Sequence, residues 1–306
     1  MKDQSYSSKL FGHDKYFNDL IKLYKINKFP KSLMLSGNKG IGKFTLVKHF
    51  LNYFLDKNNY YLEKKEIMRS SNFSNFFFNE TLPNIVYLNA SEAKVKIDNI
   101  RILKDKINKS TINSLSRFVI LDDIELFNLN SLNALLKIIE EPTKLNYFIF
   151  INNQKKPILE TIKSRCSEIK IFLNERERIL IIESLINDKN LTPVIDYKKN
   201  KISPGKFINF NNICLDQEIN PQEISINDIN NLFLLYNKEK KIIYIDLAKY
   251  LIEEFFSSKQ RFNEKQFNDL IKIKIKIFKL INDYIVFNIN QKSLLNTITE
   301  DIKNAS

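Results

Sequence analysis

Short runs of β-branched and aromatic residues recur along the first half of the chain, at Leu33–Ser36, Ile85–Leu88, Phe118–Leu121, Tyr147–Ile151 and Ile169–Phe172. Bounded runs of this kind predict strands, and most of the stretches between them repeat apolar residues at helical spacing. Over Ser131–Glu140, Leu132, Leu135, Leu136 and Ile139 fall at i, i+3, i+4 and i+7 before Pro142 stops the pattern. A second helix is predicted after Asp98, with Ile100, Leu103 and Ile107 on one face. Strands alternating with helices predict a parallel α/β sheet. Between the first two strands, Asp56–Pro83 is polar and aromatic without a clear period, which predicts an irregular excursion.

The second half reads differently. A helix is predicted around Glu175–Ile186, and in Ser203-Pro-Gly-Lys206 the proline suits the first turn of another. From about Gln222 onward the apolar positions keep helical spacing through Ile226–Tyr236, Ile242–Phe256, Phe262–Phe287 and Ser293–Ile302. Ile271-Lys-Ile-Lys-Ile-Lys-Ile277 alternates with the period of a strand instead. Phe267, Leu270, Ile271, Ile277, Phe278, Ile281 and Ile285 nevertheless keep a mostly continuous helical face, and no Gly or Pro interrupts Arg261–Phe287, so a helix is expected there. Three units follow: residues 1–166 as an α/β domain, 167–215 as a small helical unit, and 216–306 as an all-helical terminal domain.

A chain of 306 residues, 43% hydrophobic and 27% charged, is long enough for such a division and reads as globular. The net charge of +13 comes from forty-one lysines and only seven arginines in a chain crowded with Asn and Ile. That pattern reads as codon bias of an AT-rich genome and spreads positive charge everywhere, so charge alone does not establish a nucleic-acid partner. Two cysteines and two histidines are too few for a four-ligand zinc site built from spaced pairs, and no disulfide framework is expected. The absence of an eighteen-residue apolar run and of a secretory leader makes the cytoplasm the expected compartment.

Gly37-Asn-Lys-Gly-Ile-Gly-Lys43 lies between a predicted strand and the predicted helix Phe44–Leu55. This is the context of a phosphate-binding loop, in which backbone amides and a helix N-terminus face phosphate and the lysine reaches its outer oxygens. Glycine-rich turns also precede helices for structural reasons alone, but the spacing, the lysine and the context agree here. A working loop continues with Ser or Thr to ligate Mg²⁺; this chain has Phe44. Thr45 is one place out of register, rotated by about a hundred degrees around the helix. The acidic pair expected across such a site is Asp122–Asp123, at the end of Phe118-Val-Ile-Leu, although a solvated strand end reads the same way. Asp123 is shorter than the usual glutamate. Gly37, Gly40, Gly42, Lys43, Asp122 and Asp123 are therefore expected to form a degenerate nucleotide site. No cofactor or metal is required, hydrolysis by the chain alone is not expected, and ATP or ADP held without efficient turnover is the alternative to loss of both.

Asn133-Ala-Leu-Leu-Lys-Ile-Ile-Glu-Glu-Pro142, followed by Thr161-Ile-Lys-Ser-Arg-Cys166, resembles the paired signatures of the AAA+ subunits of bacterial clamp loaders. Leu10-Phe-Gly-His-Asp14, the phosphate loop, Leu121-Asp-Asp123 and Ser203-Pro-Gly-Lys206 fit the same family in the same order, so the match runs from about residue 10 to 210. The four-cysteine zinc module of many members is missing. The resemblance implies an AAA+ module, a helical lid and a helical collar through which subunits assemble. It implies that Arg165 projects as an arginine finger into the ATP site of a neighbour, a role its planar guanidinium suits better than lysine; taken alone, Arg165 would read as an ordinary surface ion-pair residue. Cys166 is expected to pack, and Asn152 or Asn153 matches the family's polar sensor position. Lys206 lies near its second sensor region, where a solvated helix residue is the plainer reading.

The partners so implied are gamma/tau and delta subunits in a five-membered ring, a sliding clamp, and primed DNA reached through the complex by way of its phosphates and shape. Phe44 and the length of the chain point to the subunit type that has lost its own ATPase. The rival readings are an active motor-type AAA+ ATPase, in which Thr45 or water replaces the missing hydroxyl, and a nonenzymatic DNA-binding scaffold that kept the fold.

Overall fold

A computed structural model describes residues 7–68, 70–71, 84–90, 95–108, 115–141, 144–258, 264–287 and 290–304. Five parallel strands form one sheet: β1 (Ser32–Ser36), β2 (Ile85–Asn89), β3 (Arg117–Asp122), β4 (Asn146–Asn152) and β5 (Ser167–Lys170), in the order β2-β3-β4-β1-β5. Side chains alternate across it. Leu33, Leu35, Phe118, Ile120, Ile149 and Ile151 face one core with Phe17, Leu20, Leu46 and Phe50 from α1 (Asp14–Lys25) and α2 (Lys43–Leu55). Met34, Val119, Leu121, Phe148 and Phe150 face the other, with Ile100 and Leu103 from α3 (Ile97–Asn108) and Leu132 and Leu135 from α4 (Leu129–Glu140). Both faces are covered, which is why the inner strands read as continuous apolar runs.

Three sequence expectations are corrected here. β5 begins and ends two residues earlier than Ile169–Phe172, because its ladder with β1 starts at Leu33↔Ser167 and closes with the Ile171 N–H donating to the Ser36 carbonyl at 2.7 Å. As an edge strand it tolerates polar residues, while Phe172, placed just beyond it, is 70% exposed. The start of the expected excursion after Asp56 is ordered as a single 3₁₀ turn, Lys57–Asn59, and a two-stranded antiparallel hairpin of Tyr60–Tyr61 with Glu66–Ile67. Residues 72–83 of that stretch lie outside the described residues, as does Pro142. α4 starts at Leu129, two residues ahead of the expected Ser131, since the Asn128 side chain caps it by accepting from the Ser131 N–H.

The remaining helices are α5 (Glu160–Lys163), α6 (Glu175–Lys189), α7 (Pro204–Asp216), α8 (Ile226–Glu239), α9 (Ile243–Ser258), α10 (Glu264–Phe287) and α11 (Gln291–Asn304). A capping box of Asn174 with Glu177 starts α6, and one of Ser225 with Asp228 starts α8. The chain divides into two compact units, one of Met1–Leu191 with Tyr197–Phe207, the other of Thr192–Asp196 with Ile208–Ser306. In the second, α9 packs on α8 and α10, and α11 on α10 and α8. Its buried residues include Leu232, Phe233, Leu247, Leu251, Ile277, Ile281, Leu294 and Ile298. Ile271 and Ile275 are exposed, so the alternating segment is helical and only part of its isoleucines reach the interior. No helix among the described residues is long and apolar enough to cross a membrane.

Candidate functional site

The loop from Gly37 to Gly42 joins β1 to α2 at the carboxyl end of the sheet. Gly37 is required by close approach, for a Cβ there would lie 2.2 Å from the Ile171 carbonyl oxygen. Gly42 is required by conformation, since it caps α2 at φ 98°. The His13 imidazole lies beneath this turn, its Nε2–H donating to the Ile41 carbonyl at 2.6 Å. Burial lowers the pKa of His13, outweighing the bond to the Ile41 carbonyl, which acts to raise it. Gly40 is covered from the other side: the Gly205 N–H, in the first turn of α7, donates to its carbonyl at 2.8 Å. Ser203-Pro-Gly-Lys206 is thus folded against the phosphate loop, with Lys206 half-buried.

Lys43 is 3% exposed and turns its ammonium back onto its own loop, donating to the Gly37 carbonyl at 2.6 Å and the Asn38 carbonyl at 2.7 Å. Burial pushes its pKa down to about 8, against the opposing pull of Asp122, Glu125 and Asp123. Phe44 is buried, its ring 5.1 Å from that of Tyr87 on β2, and the Tyr87 hydroxyl donates to Asp122 Oδ2 at 3.3 Å. An aromatic pair therefore stands between the start of α2 and the acidic residue that would complete a metal site. Thr45, half-buried, offers no replacement ligand at the Phe44 position.

Asp122 closes β3, and burial, followed by the charge of Asp123, pushes its carboxyl up to about 6. The Asp123 backbone is left-handed at φ 53°, strained for a residue with a Cβ. Its carboxylate, 3% exposed, is paired with Lys155 at 3.2 Å and Lys39 at 3.5 Å. Asn153 Nδ2 donates to Asp123 at 2.8 Å and to Asp122 at 3.3 Å, whereas Asn152 bonds Ser36 Oγ at 3.3 Å. Of the two sensor candidates, Asn153 is the one turned to the acids. Glu125, also buried, accepts the Asn153 N–H at 3.1 Å and fixes the start of that loop.

The six expected nucleotide-site residues are thus brought together, but their polar groups are largely satisfied by the protein itself. Lys39, from the phosphate loop itself, and Asn153, a sensor candidate, do part of this; Tyr87 and Lys155, which do the rest at the acids, were marked by no site motif and meet them only in the fold.

Arg165 lies elsewhere on the same unit, just after α5 and exposed. One Nη donates to the Thr161 carbonyl at 3.0 Å and the other lies 2.6 Å from Glu140 Oε1, at the end of α4. Neighbouring Cys166 packs on the α3–α4 core, and burial pushes its thiol up to about 12, so it is no nucleophile.

A parallel sheet in this order, with a phosphate loop between β1 and α2 and an acidic pair ending β3, defines the AAA+ class of P-loop proteins. Consistent with that fold is a DNA polymerase III gamma-subunit-related protein from Thermotoga maritima, which superposes with a TM-score of 0.50 at 17% identity over 94% of this chain and 99% of that one. Residues 12–174 match the family described as DNA polymerase III, delta subunit, and the chain belongs to that family. Its curated relatives include DNA polymerase III subunit delta' of Buchnera aphidicola from Schizaphis graminum, 26% identical over 82% of this chain and 78% of that protein. The corresponding delta' subunit of Buchnera aphidicola from Baizongia pistaciae is 25% identical over 92% of this chain and 78% of that protein.

Proposed function

We propose that this chain is a non-hydrolysing subunit of a cytoplasmic DNA polymerase III clamp loader that presents Arg165 to the ATP site of an adjacent motor subunit. The observation that carries the proposal is a contrast within one unit. Lys43, Asp122 and Asp123 are turned inward onto protein partners with Phe44 across the metal position, while Arg165 stands exposed at the end of α5. A guanidinium fork stabilises charge on a transferring phosphate without needing a nucleotide of its own. The helical terminal region would join a ring with gamma/tau and delta subunits, and the ring would place a sliding clamp on primed DNA. The similarity to DNA polymerase III subunit gamma of Buchnera aphidicola, 23% identical over 76% of this chain, fits a ring of related modules.

The reading is tested by ATP turnover of the purified chain and of the complex assembled with its cognate gamma/tau and delta subunits, clamp and primed DNA. The chain alone is expected to be inactive. Arg165→Ala is expected to leave assembly intact while lowering turnover at the neighbouring site on the order of a hundredfold or more. Unchanged turnover in that variant would remove Arg165 from the mechanism, and robust turnover by the chain alone would make it an ATPase.

A further inference from the structure

The two segments that carry the family resemblance meet in space. Glu140 ends α4, and Arg165 follows α5; their side chains pair at 2.6 Å and are 46% and 39% exposed respectively. The second Nη of Arg165 is held by the Thr161 carbonyl at 3.0 Å. The guanidinium is thus gripped at both Nη atoms, by the Glu140 carboxylate and by the Thr161 carbonyl of α5, and fixed in one of the many rotamers open to an exposed arginine. An ion pair this exposed adds little to stability. The core beneath it, built on Leu135, Ile138, Ile139 and Ile162, does not depend on it.

We propose that Glu140 is a positioning residue for Arg165, an inference that rests on the trans-acting reading of that arginine. A carboxylate and a phosphate present the same pair of oxygens to the guanidinium fork. Glu140 therefore holds Arg165 in a conformation that a neighbour's phosphate can take over by replacing the Glu140 Oε1 contact with phosphate oxygens, without a search through rotamers. Because Glu140 belongs to α4, any displacement of that helix within the module moves the finger with it.

The test uses the full chain in the assembled complex. Glu140→Ala is expected to lower the clamp- and DNA-stimulated kcat by about tenfold or more, up to the roughly hundredfold loss that a misplacement of about 1 Å can cause, with the KM for ATP unchanged. Glu140→Gln, which keeps an acceptor oxygen at the same reach, is expected to recover most of the rate. Glu140→Ala combined with Arg165→Ala is expected to lose no more than Arg165→Ala alone. In the isolated chain, nitrogen-15 spectra of the arginine side chains should show slow rotation of the Arg165 guanidinium, becoming fast in Glu140→Ala. A normal kcat in Glu140→Ala, or a double variant whose losses multiply, overturns the positioning role while leaving the finger intact. An unchanged rate in Arg165→Ala overturns the finger itself and this role with it.

Discussion

At position 44 the chain carries a ring where a working phosphate loop carries a hydroxyl, and the ring is built into the core against Tyr87. Phe44→Thr is therefore expected to lower stability by about 3 kcal/mol in urea denaturation, the usual order for deleting a buried ring. It should also fail to create turnover with ATP and Mg²⁺, because Asp123 stays paired with Lys155 and Lys39. Appreciable turnover in that variant would show that the missing hydroxyl was the sole lesion. Asp122 makes a different prediction. Its folded pKa of about 6 lies above the unfolded value of about 3.9, so the folded chain binds the extra proton between them. The contribution of this group to stability is thus complete below about pH 4 and is lost as pH rises through 6. Asp122→Asn should flatten that part of the stability profile and raise stability at pH 7 to 8 by about 1–3 kcal/mol. The amide oxygen can keep the bonds from the Asp123 N–H and Asn153, and its nitrogen can donate to a rotated Tyr87 hydroxyl. An unchanged pH dependence would place the titration elsewhere. The loop and the acidic pair were legible in the sequence because their spacing is local; the roles of Lys155 and Tyr87 were not, because nothing local marks a residue that closes a site from another strand or loop.

Among the elements, α10 separates pattern from structure most sharply. Four isoleucines alternate with lysines from Ile271 to Ile277, which on a strand would put all four on one face. On the helix they are dispersed around the axis: Ile277 is fully buried and Ile275 is 61% exposed, while the buried stripe continues through Ile281 and Tyr284. Ile277→Ala is accordingly expected to cost about 3 kcal/mol and Ile275→Ala less than about 0.5 kcal/mol. Equal losses at the two positions in thermal or urea unfolding would contradict the helix. The long unbroken helical face outweighed the short alternation because the alternation spans less than two turns of a helix. Strands were legible where both faces are covered, as in β1, β3 and β4, and misplaced at the edge strand β5, where half of the residues need not be apolar. The hairpin at Tyr60–Tyr61 and Glu66–Ile67 offered two residues per strand, too few to show any period.

At the scale of the molecule, the division into units does not follow the chain in one cut. Thr192–Asp196 belongs with the helical unit although Tyr197–Phe207 returns to the first. The tie is Asn211, wholly buried, whose Oδ1 accepts the Val194 N–H at 2.8 Å and whose Nδ2 donates to the Thr192 carbonyl at 2.9 Å. A fragment of residues 192–306 retains these bonds and its buried helical core, and is expected to fold cooperatively by circular dichroism and urea titration. A fragment of residues 208–306 strips the amide of both partners and should be less stable by about 1–3 kcal/mol, the penalty for leaving a buried polar group unsatisfied. On the proposed reading the helical unit is the part that assembles and the first unit is the part that acts. The 192–306 fragment should then compete with the full chain for a place in the complex, and rings containing it should lose the turnover that depends on Arg165. If the fragment folds but does not compete, assembly runs through the α/β unit, and the collar role assigned to residues 216–306 is wrong. If it competes and turnover is undiminished, the neighbouring ATP site draws its arginine from another subunit.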